Sequence, residues 1–337
     1  MSNISPILLS FIVPVYNTGK YVIDCINSIY NQGLDVSSFE LILINDGSDD
    51  GCMSDLNDII DHHTNIKVIE QANHGVSISR NVGLERSRGK YVFFVDSDDY
   101  LVGNSILPLL VKAIEEDVDL LIADFFELSE GLQMSQKVLR HKDSCDKWEG
   151  TGLEYLVKLY DGNSYVWRSL YKRSFLMNND ISFIPDICFE DIPFTMRCLL
   201  SAKICQRYYT PVYYYIHRKG STTDSINLKK LIDLNIVIEN LWLIKKCNDL
   251  NQEVKKKLVD VIFDTLSFQW WYMISIKELY EVREVVFKDL RNRIPVFFLG
   301  NSIKQFFISF IFYVSPYRYI QFRRFVDVML KKCKHVL

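Results

Sequence analysis

The chain lacks the cysteine spacing of a structural zinc site. None of its eight cysteines forms a Cys-x-x-Cys pair, which excludes the common zinc motifs. Thiols scattered through 337 residues are typical of small buried side chains in a reducing compartment. We therefore expect a cytoplasmic protein.

An excess of positive charge is also missing. The chain has 39 Lys and Arg against 42 Asp and Glu, a net charge of −3, which argues against nucleic acid as a partner. Its 48% hydrophobic content excludes disorder as the main state. At about 150 residues per domain, the length predicts two domains, or one large domain with an appendage.

A signal peptide is not expected at the N-terminus. The apolar run 7–15 has no basic flank before it, contains Pro14 and leads into a polar turn. We interpret this run as the first strand, buried on both faces.

Apolar runs alternate with helical patterns through the first 125 residues. Residues 19–32 carry an i, i+3, i+4, i+7 apolar stripe, and such alternation predicts βαβ units and a mostly parallel sheet. The predicted strands are 7–15, 41–44, 66–69, 91–95 and 120–123, and the predicted helices are 19–32, 52–62, 75–88 and 105–116.

The pattern changes further along the chain. A helix is expected over 151–160, and another begins near Asp191, with Pro193 in its first turn. Residues 207–216 form a tyrosine-rich strand candidate, and 226–290 are helical throughout.

Acidic side chains follow the predicted strand 91–95. Asp96 and Asp98 lie at a carboxyl end, where α/β sheets bind ligands, and two carboxylates one residue apart suit Mg²⁺ or Mn²⁺. The alternative is a solvated acidic turn. Asp117 and Asp119 have the same spacing but precede a strand, so we expect them to be structural.

Two further residues suggest contact with a nucleobase. Asp46, after the second strand, could accept a hydrogen bond from a base N–H, or could stabilise an Asx turn. Tyr16 could stack on a base, or could lie at the rim of the core.

Four motifs occur in a fixed order along the chain. Together they resemble family 2 of the glycosyltransferases, with the GT-A fold, over about residues 7–220. The resemblance implies an inverting transfer of a sugar from a nucleotide-diphosphate donor, usually UDP-linked. The motifs are Val13-Pro14-Val15-Tyr16-Asn17, Asn45-Asp46-Gly47-Ser48, Ser79-Arg80-Asn81-Val82-Gly83 and Val95-Asp96-Ser97-Asp98-Asp99.

The resemblance implies roles on the nucleoside side. Pro14, Tyr16 and Asn17 would border the nucleoside, and Asp46 would contact the base. Arg80 would lie near the base and phosphates, or would instead form a structural ion pair.

The acidic motif would bind the rest of the donor. Asp96 would approach the ribose or donor sugar and contribute to the metal site, beside Ser97, and Asp98 would be the principal ligand of Mn²⁺ or Mg²⁺. Such an ion would act as a Lewis acid on the departing diphosphate.

Inversion also requires a general base. Glu190-Asp191 looks like the family's Glu-Asp pair, with Asp191 as the base and Glu190 as the second candidate. The alternative for Asp191 is a helix N-cap. The neighbouring Glu190 would raise the pKa of Asp191 by like-charge repulsion.

A basic loop follows the tyrosine-rich strand. His217 and Arg218 resemble a family loop that closes over the diphosphate, although a surface turn is the alternative. The family often has an aromatic residue near the acceptor at the position of Trp167, but Arg168 departs from the expected Asn or Lys.

The last segment suggests contact with a membrane. Residues 294–314 are apolar but contain polar breaks that argue against a spanning helix. Residues 317–337 hold six Lys and Arg against one Asp, which suits an interfacial helix on an anionic leaflet. A buried or oligomer-forming tail is the alternative.

The sequence therefore predicts an α/β protein with a GT-A type, mostly parallel sheet flanked by helices and a mainly helical C-terminal region. The expected domains are a catalytic domain (1–220), a helical region (221–293) and a tail (294–337). The expected function is metal-dependent, inverting sugar transfer to a glycan or lipid-linked acceptor in surface polysaccharide biosynthesis, at the inner face of the plasma membrane. A polyprenyl-phosphate sugar synthase and a non-catalytic nucleotide-sugar-binding protein are the alternatives.

Overall fold

A computed structural model describes residues 6–129, 147–218, 227–275 and 280–294. The described residues fall into two compact units. Unit 1 takes those within Met1–Asp186 and Glu190–Asp224, and unit 2 takes those within Ile187–Phe189 and Ser225–Leu337.

Unit 1 is built on one mixed sheet, with nine strands in the described residues. Most of its paired residues lie in parallel ladders. The strands are β1 (Leu9–Val15), β2 (Phe39–Asn45), β3 (Ile66–Glu70), β4 (Tyr91–Phe94), β5 (Tyr100–Leu101), β6 (Leu120–Ser129), β7 (Lys147–Gly150), β8 (Ser169–Lys172) and β9 (Cys205–His217).

The strand order is β3-β2-β1-β4-β8-β6-β9-β5, with β7 paired to β9. Strand β8 runs antiparallel to both β4 and β6. Strands β6 and β9 therefore run in the same direction as β1 to β4. The carboxyl ends of six strands therefore meet at one edge. The chain reverses its order of strand addition between β1 and β4, which is the topological switch point where such sheets bind ligands.

Helices cover the sheet because their apolar stripes match its buried faces. The stripe predicted in the first helix is confirmed, since Val22, Cys25, Ile26 and Ile29 are all buried. The helices of unit 1 are α1 (Tyr21–Tyr30), α2 (Asn57–His62), α3 (Val76–Arg86), α4 (Ile106–Glu115), α5 (Gly152–Lys158), α6 (Arg173–Asn178) and α7 (Asp191–Ser201), and short 3-10 turns cover Val36–Ser38, Ser54–Leu56 and Val166–Arg168.

Gly83 allows α3 to lie close to the sheet. A Cβ atom at this position would be 2.3 Å from Cγ2 of Ile12 in β1 and 3.0 Å from Cδ1 of Ile44 in β2. Both distances are too short for a side chain without displacement. The glycine therefore sets the height of α3 above the sheet, and with it the position of Arg80, one turn earlier in the same helix.

Unit 2 is helical in its described residues. Its helices are α8 (Leu228–Lys245), α9 (Gln252–Ser275) and α10 (Tyr280–Arg293). A buried amide network joins all three, because Gln269 donates to Asn235 Oδ1 (2.8 Å) and Asn235 donates to the Val286 carbonyl (2.9 Å). Cys188 belongs to this unit through its N–H, which donates to Asp233 (3.0 Å).

Two predicted segments lie outside the described residues, namely the tail beyond Ile294 and the part of the basic loop that follows Arg218. In the stretches that the structure describes, no helix is long and apolar enough to cross a membrane.

The strand predictions missed three short antiparallel strands and underestimated one parallel strand. Strand β6 runs to Ser129 instead of 123 because it pairs with β9 beyond two irregularities near Asp124. Strand β8 has four residues and follows a 3-10 turn, so it carries too short a pattern for periodicity to detect.

Gly83→Ala is expected to destabilise the fold. Overpacking costs about 1–3 kcal/mol, which outweighs the gain of about 1 kcal/mol when alanine replaces glycine in a helix. Urea denaturation should show a lower free energy of unfolding for this variant. Glu85→Ala, an exposed position in the same helix, is the matched control and should change little. A Gly83→Ala protein as stable as the wild type would contradict the close packing.

Candidate functional site

A single buried arginine organises the carboxyl edge of the sheet. Nη2 of Arg80 donates to Oδ1 of Asp96 at 2.8 Å, and Nη1 donates to Oε1 of Glu190 at 2.6 Å and Oδ1 of Asp191 at 3.0 Å. The Arg80 side chain is 4% exposed, and its guanidinium lies 5.3 Å from the centre of the Phe183 ring. Asp96, which is predicted to contact the donor, and the predicted base candidates Glu190 and Asp191 therefore bind the same guanidinium.

Each acid in this cluster reaches Arg80 for a local reason. Asp96 follows β4, and Asp191 is the first residue of α7. The N-cap of α7 is Glu190, and it makes no side-chain capping hydrogen bond. The N-cap interpretation of Asp191 is therefore wrong, because its carboxylate faces Arg80.

Burial and neighbouring charge change the acid strength of this cluster. Burial raises the pKa of Asp191 well above its ordinary value, the carboxylates of Glu190 and Asp96 raise it further, and Arg80 opposes them. Burial lowers the pKa of Arg80, but the three carboxylates outweigh this effect and raise it. Asp191 thus holds its proton to higher pH than an exposed aspartate, as suits a general base.

The acidic loop after β4 is attached to the end of β9. The Asp96 N–H donates to the Tyr213 hydroxyl (3.0 Å), and the Ile216 N–H donates to Oδ1 of Asp99 (2.8 Å). Arg218 forms an ion pair with Asp98, with its Nε 2.8 Å from Oδ2. Burial raises the pKa of Asp98, Asp96 adds to this rise, and Arg218 opposes it.

The loop after β1 is attached to the loop after β2. Asn17 and Asp49 exchange two hydrogen bonds, from Asn17 Nδ2 to Asp49 Oδ1 (2.8 Å) and from the Asp49 N–H to Asn17 Oδ1 (2.9 Å). Asn17 has a φ of +50°, in the left-handed region that asparagine tolerates. Its neighbour Tyr16 is 49% exposed at this edge.

Pro14 is tolerated in the middle of the sheet because β1 has lost one neighbour at that point. Pairing of β1 with β4 ends at Ile12 opposite Phe94, while pairing with β2 continues to Val15. The missing N–H of proline therefore falls where the two strands separate. This separation lies at the switch point.

Asp46 is buried and its carboxylate binds the loop that leads into α3. Oδ1 accepts from Gln71 Nε2 (2.7 Å) and the His74 N–H (2.8 Å), and Oδ2 accepts from the Gly75 N–H (2.8 Å). The contact of Asp46 with a base stays a prediction. The structure shows that Asp46 fixes the start of the helix that carries Arg80.

The other sequence candidates have less specific contacts. Ser97 is buried between the two predicted metal ligands. His217 is exposed, with Nε2 3.8 Å from Glu127 and its ring against Tyr215. Ser97 lies in the same loop as Asp98, and His217 is the last residue of β9, next to Arg218.

Trp167 is a packing residue. Its ring is 2% exposed and stacks between Tyr165 (4.6 Å) and Tyr213 (4.2 Å). Arg168 is also buried, and it pairs with Asp161 (3.0 Å). The departure at Arg168 therefore concerns a structural ion pair.

Sequence reasoning gave no role to Tyr213, Gln71 or Asn81. Asn81 is part of the third motif, and it exchanges two hydrogen bonds with the backbone of Phe183, the ring beside Arg80 (2.9 and 2.8 Å). Its position in that motif was the available signal. Asp117 and Asp119 are structural as expected, since they bind Lys172 (2.6 Å) and the Lys203 N–H (2.9 Å).

The sheet topology, with an acidic loop and a carboxylate pair at its switch point, agrees with the GT-A fold that the sequence motifs predict. The family model "Glycosyl transferase family 2" matches residues 10–173. An uncharacterized glycosyltransferase of Haemophilus influenzae is 30% identical, over 58% of this chain and 73% of that protein. The chain belongs to glycosyltransferase family 2.

Two further similarities extend the comparison. The uncharacterized glycosyltransferase EpsJ of Bacillus subtilis is 30% identical, over 64% of this chain and 63% of its own length, so the match leaves more than a third of EpsJ uncovered. The crystal structure of S. aureus TarS 1–349 in complex with UDP-GlcNAc has a TM-score of 0.68 at 24% identity, covering 86% of this chain and 82% of that one. This likeness confirms the predicted GT-A fold.

The raised pKa of Asp191 predicts a pH-dependent stability. The folded state binds this proton more tightly than the unfolded state, so the contribution is complete below about pH 4 and is lost as the pH rises through the folded pKa. The free energy of unfolding of the wild type, minus that of Asp191→Asn, should fall as the pH is raised from about 4 through the folded pKa. Urea denaturation across this range measures it. Asp55→Asn, at an exposed position, is the control, and a difference that grows with pH would reverse the predicted sign.

Proposed function

We propose that the protein is an inverting glycosyltransferase that moves a sugar from a nucleotide-diphosphate donor to a hydroxyl of a glycan or lipid-linked acceptor. The main support for this proposal is that the guanidinium of Arg80 binds both Asp96 and Asp191. A donor beside Asp96 would thus have a carboxylate within reach of its reacting carbon. The UDP-GlcNAc complex of TarS supports a UDP-sugar as the donor.

Asp191 is the better base of the adjacent pair. Its side chain is 23% exposed, against 9% for Glu190. Glu190 also makes the shorter contact with Arg80, 2.6 Å against 3.0 Å. Glu190 is therefore the counter-ion of Arg80, and Asp191 is the carboxylate that can reach an acceptor hydroxyl.

The nucleoside would bind between the loops after β1 and β2. The exposed ring of Tyr16 offers a face for stacking, and the Asn17–Asp49 pair orients the backbone next to it. Pro14 and Asp46 would complete this side of the nucleoside site, and Asp46 would act from its buried position beneath the loop that leads into α3. Arg80 is buried beneath the site, so its main role would be the structural ion pair and not contact with the base or the phosphates.

The residues present fit a hard divalent cation, Mn²⁺ or Mg²⁺. In the described ranges no three His, Cys, Asp or Glu side chains converge as a metal site. The oxygen ligands at hand are the carboxylates of Asp98 and Asp96, and a magnesium ion commonly takes one or two carboxylates and completes its shell with substrate phosphates and water. When bound, the ion would neutralise charge on the departing diphosphate.

The chain's own cations would assist the same leaving group. Arg218 and His217 lie at the end of β9, which is held against the acidic loop by Tyr213 and Asp99. A guanidinium at this position can bind phosphate oxygens in a bidentate manner.

We assign this activity to surface polysaccharide biosynthesis, at the inner face of the plasma membrane. The apolar and basic composition of residues 294–337 supports contact with an anionic leaflet and an acceptor carried on a lipid.

Asp191→Asn tests the proposal. The amide cannot accept the proton of an acceptor hydroxyl or of water, so kcat should fall about 100-fold or more. The measurement is UDP release from UDP-GlcNAc, UDP-glucose and UDP-galactose with Mn²⁺ and the full chain. UDP affinity, measured by calorimetry, should change little.

Asp55→Asn is the matched control and should turn over like the wild type. An Asp191→Asn protein with unchanged turnover would contradict a base at this position and would favour a phosphate acceptor, as in a polyprenyl-phosphate sugar synthase. No UDP release by the wild type with any of the three donors would contradict UDP-sugar transfer.

A further inference from the structure

Asp98 and Arg218 form an ion pair at the position assigned to the cation. Both nitrogens Nε and Nη2 of Arg218 contact the same carboxylate oxygen, Oδ2 of Asp98. The two side chains are partly buried, with 22% of Arg218 and 26% of Asp98 exposed. The guanidinium also lies 5.0 Å from the ring centre of Tyr21 in α1.

The backbone around this pair is fixed on both sides. Tyr213 and Ile216 attach the end of β9 to Asp96 and Asp99, the residues that flank Asp98. Arg218 lies two residues beyond the last of these attachments. Its side chain can therefore leave Asp98 without any change in the pairing of β9.

A guanidinium and a divalent cation have the same requirement at Asp98. Each needs the negative charge of the carboxylate, and two positive groups on one carboxylate oxygen repel each other. Arginine also binds phosphate through two parallel hydrogen bonds, so it has a second partner wherever a diphosphate binds nearby.

We propose that Arg218 competes with the divalent cation for Asp98, so that this one guanidinium couples cation binding to donor binding. The inference rests on the cation site of the proposed function. Without nucleotide, Arg218 neutralises Asp98 and weakens cation binding. A donor diphosphate draws Arg218 away and leaves the carboxylate to the cation. By reciprocity, the cation releases Arg218 for the phosphates.

Arg218→Gln separates this role from simple phosphate binding. Titration of Mn²⁺ into the full chain without nucleotide, followed by the paramagnetic resonance of free Mn²⁺, should show about five-fold tighter binding than in the wild type. UDP affinity at saturating Mn²⁺ should fall, because the phosphate partner is lost. The two affinities thus move in opposite directions.

The controls identify the carboxylate and the charge. Arg86→Gln removes an exposed cation from unit 1 and should bind Mn²⁺ like the wild type. The double variant D98N/R218Q should lose the tighter binding. If R218Q binds Mn²⁺ no better than the wild type, or if both affinities fall together, the competition is wrong. If neither the wild type nor R218Q binds Mn²⁺, the cation site itself is wrong, whereas sugar transfer is tested separately by Asp191→Asn.

Discussion

The arrangement of the site depends on one buried ion cluster. Arg80 binds three carboxylates that come from two distant parts of the chain, the loop after β4 and the start of α7. A buried guanidinium is costly unless its charge is paired, and each buried carboxylate likewise needs a partner. Arg80 therefore fixes the donor side and the base side of the site relative to each other.

Elements that do not touch this cluster determine where Arg80 lies. Gly83 lets α3 approach β1 and β2, and Asp46 holds the loop from which α3 begins. Asn81 holds the segment that places Phe183 beside the guanidinium. Asn81 and Gly83 of the third motif thus act together to position Arg80, which belongs to the same motif, at the switch point of the sheet.

The end of β9 and Arg218 form a second set of contacts with the acidic loop, residues 96–99. They meet this loop through a tyrosine hydroxyl, a backbone amide and an arginine, which contact three of the four consecutive residues Asp96 to Asp99. Asp96 and Asp98 are each paired with a guanidinium, that of Arg80 and that of Arg218, and burial raises the pKa of Asp98 and Asp99.

Much of this fold could be predicted because the parallel strands are long and apolar. Strands β1, β2 and β4 are largely buried on both faces, and the polar residues that follow them in the sequence identified the acidic loop and Tyr16. Strand β8 could not be predicted, since its direction depends on pairing with β4 and β6, which no local pattern encodes. The partners of Arg80 were also beyond local reasoning, because Glu190 and Asp191 lie 110 and 111 residues away in sequence.

Contacts decide between the alternatives for single residues. Asp191 has a good N-cap sequence, but Glu190 occupies the N-cap and Asp191 points to Arg80. Trp167 has an aromatic signature for acceptor contact, but the ring is buried between two tyrosines. In both cases the residue type is informative, and only packing determines the direction of the side chain.

The most direct test is the titration of Asp191 with and without Arg80. Carbon-13 NMR of the aspartate carboxyl groups should show one resonance with a raised pKa that is absent from Asp191→Asn. In Arg80→Gln, shown to be folded by circular dichroism, this pKa should rise further, because the opposing positive charge is removed. An unchanged pKa would contradict the claim that Arg80 holds the base.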